Sequence, residues 1–228
     1  MNIDCINKKD LFSNQHSDSG LYLRATGKFI ALFLVAFLSF CTSPGEKDSK
    51  NNKLYKPTFA LFGDSISAFW PVEDQFSDFQ TYKVAFPVRS TIEIQSAAIN
   101  NTGHYRVCML NGGVNDFLSN YEPTWEEVQT TVDRQVQTIG ILRSHCDYII
   151  ALNTWNVKLP WPVEAASMIN TEMKAKVNFV PRVDPEDLIH PEMLLDGGHL
   201  TPEGYGILSE RVRNYLKLTL PEFWLEYM

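Results

Sequence analysis

Positive charge is scarce in this chain. Its 228 residues carry 20 Lys and Arg against 27 Asp and Glu, a formal net charge of −7, and the basic residues are scattered. Neutralising a phosphate backbone needs a basic face, so no nucleic-acid partner is expected. Long apolar runs are also missing. The run Phe29–Phe40 (FIALFLVAFLSF) has twelve residues, well short of the roughly 20 that a helix needs to cross a bilayer. Metal-ligand spacing is absent too. No His-x-x-x-His and no paired-cysteine pattern occurs among five His and four Cys, so neither a metal nor another cofactor is expected. No internal repeat is visible, which excludes solenoids and arrays. What remains is 44% hydrophobic and 21% charged, the composition of one globular α/β domain with a tail.

The tail is N-terminal. Arg24 and Lys28 precede the apolar run and Cys41 ends it. A basic flank, a short apolar core and a polar continuation describe a secretory signal peptide over residues 1–41. An uncleaved anchor or a buried apolar helix is the plainer alternative. Leu38-Ser39-Phe40-Cys41 resembles a bacterial lipobox, with Phe40 larger than the residue usual before the lipidated cysteine. Residues 42–56 (TSPGEKDSKNNKLYK) are polar and read as a flexible tether. The expectation is an exported domain over residues 57–228, anchored to the membrane of the cell envelope through Cys41. Without the lipid it would be periplasmic or secreted. Cys108 lies in an apolar run and Cys146 after a helical segment. A disulfide between them suits an oxidising compartment, and two buried thiols are the plainer account.

Within the domain, short apolar runs alternate with helical patterns. Thr58–Phe62, Tyr82–Phe86, Tyr105–Leu110 and Tyr148–Leu152 read as strands, with Val177–Val180 as a fifth candidate. Such runs suit central parallel strands covered on both faces. The clearest helix opens on a capping box, Thr124 to Glu127, and continues with Val128, Val132, Val136, Ile139 and Leu142 on one stripe. A last helix starts at Thr201 with Pro202 in its first position and Tyr205, Leu208, Val212 and Tyr215 facing the core. The fold class is therefore α/β, with ligands expected beyond the carboxyl ends of the strands.

Three short motifs fall at those ends. Gly63-Asp64-Ser65 follows the first strand and presents a hydroxyl on a turn; its bland reading is a serine at a helix N-cap. Gly112-Gly113-Val114-Asn115-Asp116 follows the third, and Asn115 offers an amide N–H or merely closes the turn. Asp196-Gly197-Gly198-His199 precedes the last helix. Its histidine can accept a proton near neutral pH and its carboxylate can orient that ring. As metal ligands, Asp196 and His199 would draw on Asp184, Asp187 and His190, but the spacing does not favour it. The α/β-hydrolase elbow Gly-x-Ser-x-Gly is disfavoured because Ser67 stands at its final glycine.

Taken in order, the three motifs resemble those of the SGNH or GDSL hydrolase family over about Thr58–Leu216. The first block matches at Gly63-Asp64-Ser65, the third at Gly113, Asn115 and Asp116, and the fifth at Asp196, His199 and Leu200 with Thr201-Pro202 and Gly204-Tyr205 following. The resemblance implies a flavodoxin-like three-layer α/β/α sandwich and a serine esterase working through an acyl-enzyme. It implies Ser65, His199 and Asp196 as the catalytic triad. The substrate would be a small-molecule or glycan ester. One block departs: the family has a glycine after the second strand, and no glycine stands between Gly63 and Gly103 here. The backbone N–H of Arg89 or Ser90 would then join the Ser65 N–H and the Asn115 side chain in the oxyanion hole. That departure also supports a different class, a surface-anchored binding lipoprotein on a decayed hydrolase scaffold.

Overall fold

The computed structural model describes residues 56–219. The leader, Cys41 and the tether up to residue 55 lie outside the described residues. Five parallel strands form one sheet in the order β2-β1-β3-β4-β5. They are β1 (Thr58–Gly63), β2 (Gln80–Ala85), β3 (Tyr105–Leu110), β4 (Cys146–Leu152) and β5 (Arg182–Val183). The three inner strands β1, β3 and β4 are buried along most of their length. Their near-continuous apolar sequence follows from that, because helices cover both faces.

Among the described residues, six α-helices connect and close the sheet: α1 (Ser65–Phe69), α2 (Val72–Gln75), α3 (Thr91–Ile99), α4 (Trp125–Leu142), α5 (Val163–Lys176) and α6 (Pro202–Thr219). Helices α3, α4 and α5 pack side by side, the arrangement that crossovers of the usual right hand produce in a parallel sheet. Helix α6 joins α1 and α2. There the Tyr205 ring stacks on Trp70 at 6.0 Å, and the Trp70 indole N–H reaches Ser209 Oγ at 2.8 Å. Phe59 and Phe76 stack at 5.0 Å beneath them, which pins the four-residue α2 to β1. Burying each such ring contributes roughly 1.5–3 kcal/mol. Among the described residues, no helix is long and apolar enough to cross a membrane.

Three local expectations change. The second strand, read as a central one, is an edge strand with half of its side chains exposed. The fifth strand is Arg182–Val183, not Val177–Val180. Val177 instead ends α5, where its N–H bonds to the Met173 carbonyl and its side chain enters the core. Cys108 and Cys146, for which two thiols were the plainer account, form a disulfide; both are buried and their Cα atoms lie 5.9 Å apart. The capping box of α4 is present as expected, with the Glu127 N–H donating to Thr124 Oγ1 and the Thr124 N–H to the Glu127 carboxylate.

The chain leaves β1 toward β2 on one side and later returns to β3 on the other. The carboxyl ends of β1 and β3 therefore border the crevice where the strand order reverses. Ser65 follows the first of these ends, and Asn115 follows the second.

Candidate active site

Ser65 is the first residue of α1, and Asp64 caps that helix by accepting the Ile66 N–H at 3.0 Å. A first-turn N–H has no intrahelical acceptor, so the Ser65 N–H is free to face a ligand. Gly63 is required by close approach rather than by a left-handed backbone. A Cβ there would lie 2.0 Å from Asn111 Oδ1. That asparagine is a buried hub: its amide donates to Asp64 Oδ1 at 2.9 Å, and its carbonyl oxygen accepts from the Ser67 hydroxyl. Ser67, which breaks the elbow pattern, is thus spent on holding Asn111. Burial pushes the Asp64 carboxyl above its ordinary value, and the Ile66 N–H, the Asn111 amide and the nearby His199 only partly offset this.

Asp196 and His199 sit on a small hairpin. Leu194 and Leu200 pair as an antiparallel bridge, the Leu195 N–H donates to the His199 carbonyl at 2.8 Å, and Asp196-Gly197-Gly198 forms the turn. Gly197 has φ +91°, and a Cβ on it would lie 2.5 Å from the Lys158 carbonyl oxygen. A Cβ on Gly198 would enter the Trp161 ring at 2.0 Å. Neither glycine can be exchanged without moving the hairpin or, at Gly198, the Trp161 ring.

The turn brings three groups into line. Asp196 Oδ2 is 2.6 Å from His199 Nδ1, and His199 Nε2 is 2.7 Å from Ser65 Oγ. Asp196 Oδ1 accepts the N–H groups of Gly198 at 3.1 Å and His199 at 2.9 Å. Partial burial pushes the Asp196 carboxyl up, but the His199 ring, those two N–H groups and the His199 charge outweigh it. Its pKa therefore lies below the ordinary value. The His199 ring meets Trp161 edge-on at 4.8 Å and Phe69 at 5.1 Å. Tyr205 ties α6 to α1 by donating its buried hydroxyl to the Ile66 carbonyl at 3.1 Å. Burial pushes that hydroxyl well above its usual pKa, with Asp64 and Asp196 adding to the effect, so it stays a neutral donor.

The segment between β2 and α3 starts beside the end of β1, where the Phe86 N–H bonds to the Gly63 carbonyl at 3.3 Å. Asn115 donates one amide N–H to the Arg89 carbonyl at 3.0 Å, and the same nitrogen carries a second hydrogen. Asp116 anchors the start of α3 by accepting the Thr91 N–H at 2.9 Å and its hydroxyl at 2.6 Å. Of the two expected backbone donors, Ser90 is already engaged. Its N–H is bound to the Glu93 carboxylate at 2.8 Å in the α3 capping box. Among the described residues, the Arg89 N–H meets no acceptor. The residue before it, Val88, has φ +66° and is largely exposed. This is the left-handed conformation that glycine adopts at little cost.

The aromatic residues Phe69, Trp70, Trp155 and Trp161 divide between the cleft and the core. Trp70 and Trp155 are core, with the Trp155 indole N–H bound to the Gly198 carbonyl at 2.8 Å. Phe69 and Trp161 touch His199. The acids and histidine that suggested a metal site do not converge. Asp184 caps a turn at Glu186 and Asp187 pairs with Arg211 at 2.8 Å, while His190 starts a 3-10 turn. Among the described residues, no group of three or more His, Cys, Asp or Glu is placed to hold a metal ion.

Comparison with known proteins places this architecture. No family model matches the chain, and no curated protein does. Solved structures do. A GDSL-like lipase from Bacteroides thetaiotaomicron superposes with a TM-score of 0.60 at 16% identity, over 72% of this chain and 90% of that one. Est24, a carbohydrate acetylesterase from Sinorhizobium meliloti, gives 0.56 at 16% identity over 72% and 99%. An aryl esterase from M. smegmatis gives 0.53 at 16% identity over 70% and 100%. The chain has the three-layer α/β/α fold of GDSL-type hydrolases.

Proposed function

We propose that this chain is a serine ester hydrolase of the SGNH/GDSL type that works through an acyl-enzyme. One observation carries the reading: a hydroxyl, an imidazole and a carboxylate stand in a line of hydrogen bonds of 2.7 and 2.6 Å at the carboxyl edge of the sheet. A serine hydroxyl is a weak nucleophile until a base takes its proton, and the base works best in a fixed tautomer. Asp196 accepts from Nδ1 and so leaves Nε2 as the proton acceptor facing Ser65. The structural neighbours, named as lipase, carbohydrate acetylesterase and aryl esterase, all cleave esters, which supports the reaction class.

Ser65 Oγ attacks the ester carbonyl carbon as its proton passes to His199 Nε2. The carbonyl oxygen takes the negative charge and is held by the Ser65 N–H, the second Asn115 amide hydrogen and the Arg89 N–H. The C–O bond to the alcohol then breaks, and His199 returns its proton to the departing oxygen. Water attacks the acyl-enzyme in the same way, with His199 as base, and Ser65 is released with the carboxylic acid. A nitrophenyl ester should give a burst of nitrophenol equal to the enzyme present, followed by slower turnover. Ser65→Ala should abolish both. Turnover by Ser65→Ala at the parental rate would overturn the reading.

We also propose export and lipid anchoring through Cys41, supported by the basic flank, the short apolar core and the polar tether of the sequence. Cells expressing the chain should incorporate labelled palmitate into it, and Cys41→Ala should not. Equal incorporation would remove the anchor.

A further inference from the structure

Beside His199, the surface opens into a depression of about 350 Å³ to whose lining neither Asn115 nor Arg89 contributes. Its walls are Phe69, Pro71, Leu195, Leu200, Pro202 and Tyr205, together with His199 itself. This volume falls at the small end of the range for small-molecule sites, about 300–1,000 Å³. Phe69 is 53% exposed and Leu195 67% exposed, so the depression presents apolar side chains to solvent directly beside His199. Phe69 stands four residues after Ser65 on α1, hence on the same face of that helix. The one hydroxyl in the lining, on Tyr205, is already bound to the Ile66 carbonyl.

Which part of an ester belongs there follows from the geometry of acyl transfer. The carbonyl oxygen must point at the Asn115 and Arg89 wall, where the donors are. The departing oxygen must come within about 2.6–3.2 Å of His199 Nε2 to receive its proton. The alcohol therefore leaves from the His199 side, and the acyl chain takes the remaining direction. We infer that the Phe69–Leu195 depression is the leaving-alcohol subsite, and that it selects esters of apolar alcohols, alkyl or aryl, over esters of sugars. A polyhydroxylated alcohol would lose hydrogen bonds to water and find no side-chain partner in these walls. This inference rests on the hydrolase reading above and adds its specificity.

Two ester series test it. In the first, acetates of ethanol through hexanol vary the alcohol at nearly constant leaving-group basicity, with a mono-O-acetyl glucose as the polar member. In the second, ethyl esters vary the acyl chain over the same lengths. The parent should show kcat/KM rising along the alcohol series by up to about fourfold per methylene, with the sugar ester at the bottom. Leu195→Ala and Phe69→Ala should each flatten that slope and leave the acyl-series slope as it was. The slope is the readout because Phe69 touches His199, and its loss can lower every ester equally. A parental rate indifferent to the alcohol would overturn the inference while leaving the hydrolase reading intact. So would variants that flatten only the acyl slope. No turnover of any ester would overturn both.

Discussion

The two walls of the site are built on different terms. The His199 wall is a tight hairpin in which Asp196 accepts from its own ring partner and from two neighbouring N–H groups, and both glycines are packed against other parts of the chain. The facing wall, residues 86–90, is held from a distance. Asn115 and Asp116, on the loop after β3, grip the Arg89 carbonyl and Thr91, while Phe86 and Val88 stand exposed. Proton transfer depends on ring orientation, so its wall is specified by short motifs. An oxyanion can be held by a backbone N–H, which any residue but proline supplies. On the proposed reading the second wall supplies its donor, the Arg89 N–H, without a glycine, and Val88 before it takes a left-handed conformation.

Substitutions on each wall put that contrast to the test. The largest effect belongs to Asp196→Asn, which keeps the side-chain shape but removes the charge and offers His199 the wrong tautomer. Loss of kcat on the order of 10⁴-fold is expected with the fold intact, measured by steady-state kinetics beside circular dichroism. A loss under tenfold would show that the hairpin alone orients the ring. Asn115→Ala comes next. Removing one oxyanion donor costs about 100- to 1,000-fold in kcat, and here it also frees the Arg89 carbonyl from its grip. Parental kcat would place the oxyanion elsewhere. The smallest effect is Val88→Gly. A left-handed backbone costs an L residue roughly 1–2 kcal/mol, part of which glycine returns to the unfolded chain as added freedom. Because the Val88 side chain is largely exposed, thermal unfolding should shift upward by a few degrees. A downward shift would mean that Val88 packs where it stands.

Much of this was legible in the residues themselves, for identifiable reasons. The inner strands β1, β3 and β4 announce themselves because burial on both faces demands unbroken apolar sequence. The fifth strand does not, since two residues carry no periodicity and Val177 mimics a strand position while ending a helix. Helix α5 was unread because its buried side is carried by Ala165, Ala166, Ile169 and Met173, a weak stripe in which two of four positions are alanine. Ser65, Asp196 and His199, which the structure joins by hydrogen bonds, stood out because the proposed chemistry requires particular residue types in short motifs. Asn111 and Thr91 were missed: each acts through long-range hydrogen-bond partners, Asp64 and Ser67 for one and Asp116 and Arg134 for the other, and sequence distance hides such pairs. Ser90 was named as a donor because it lies in the loop after the second strand. The Glu93 side chain three residues on, a capping-box signature readable in advance, was the clue that its N–H is taken.

Covalent trapping of the nucleophile bears on all of this at once. After incubation of the purified domain with a fluorophosphonate, intact mass should rise by one phosphonyl group, peptide mapping should put it on Ser65, and Asp196→Asn should slow its attachment. An unlabelled parent, or a label on any residue other than Ser65, would contradict the assignment of Ser65 as a hydroxyl activated by His199.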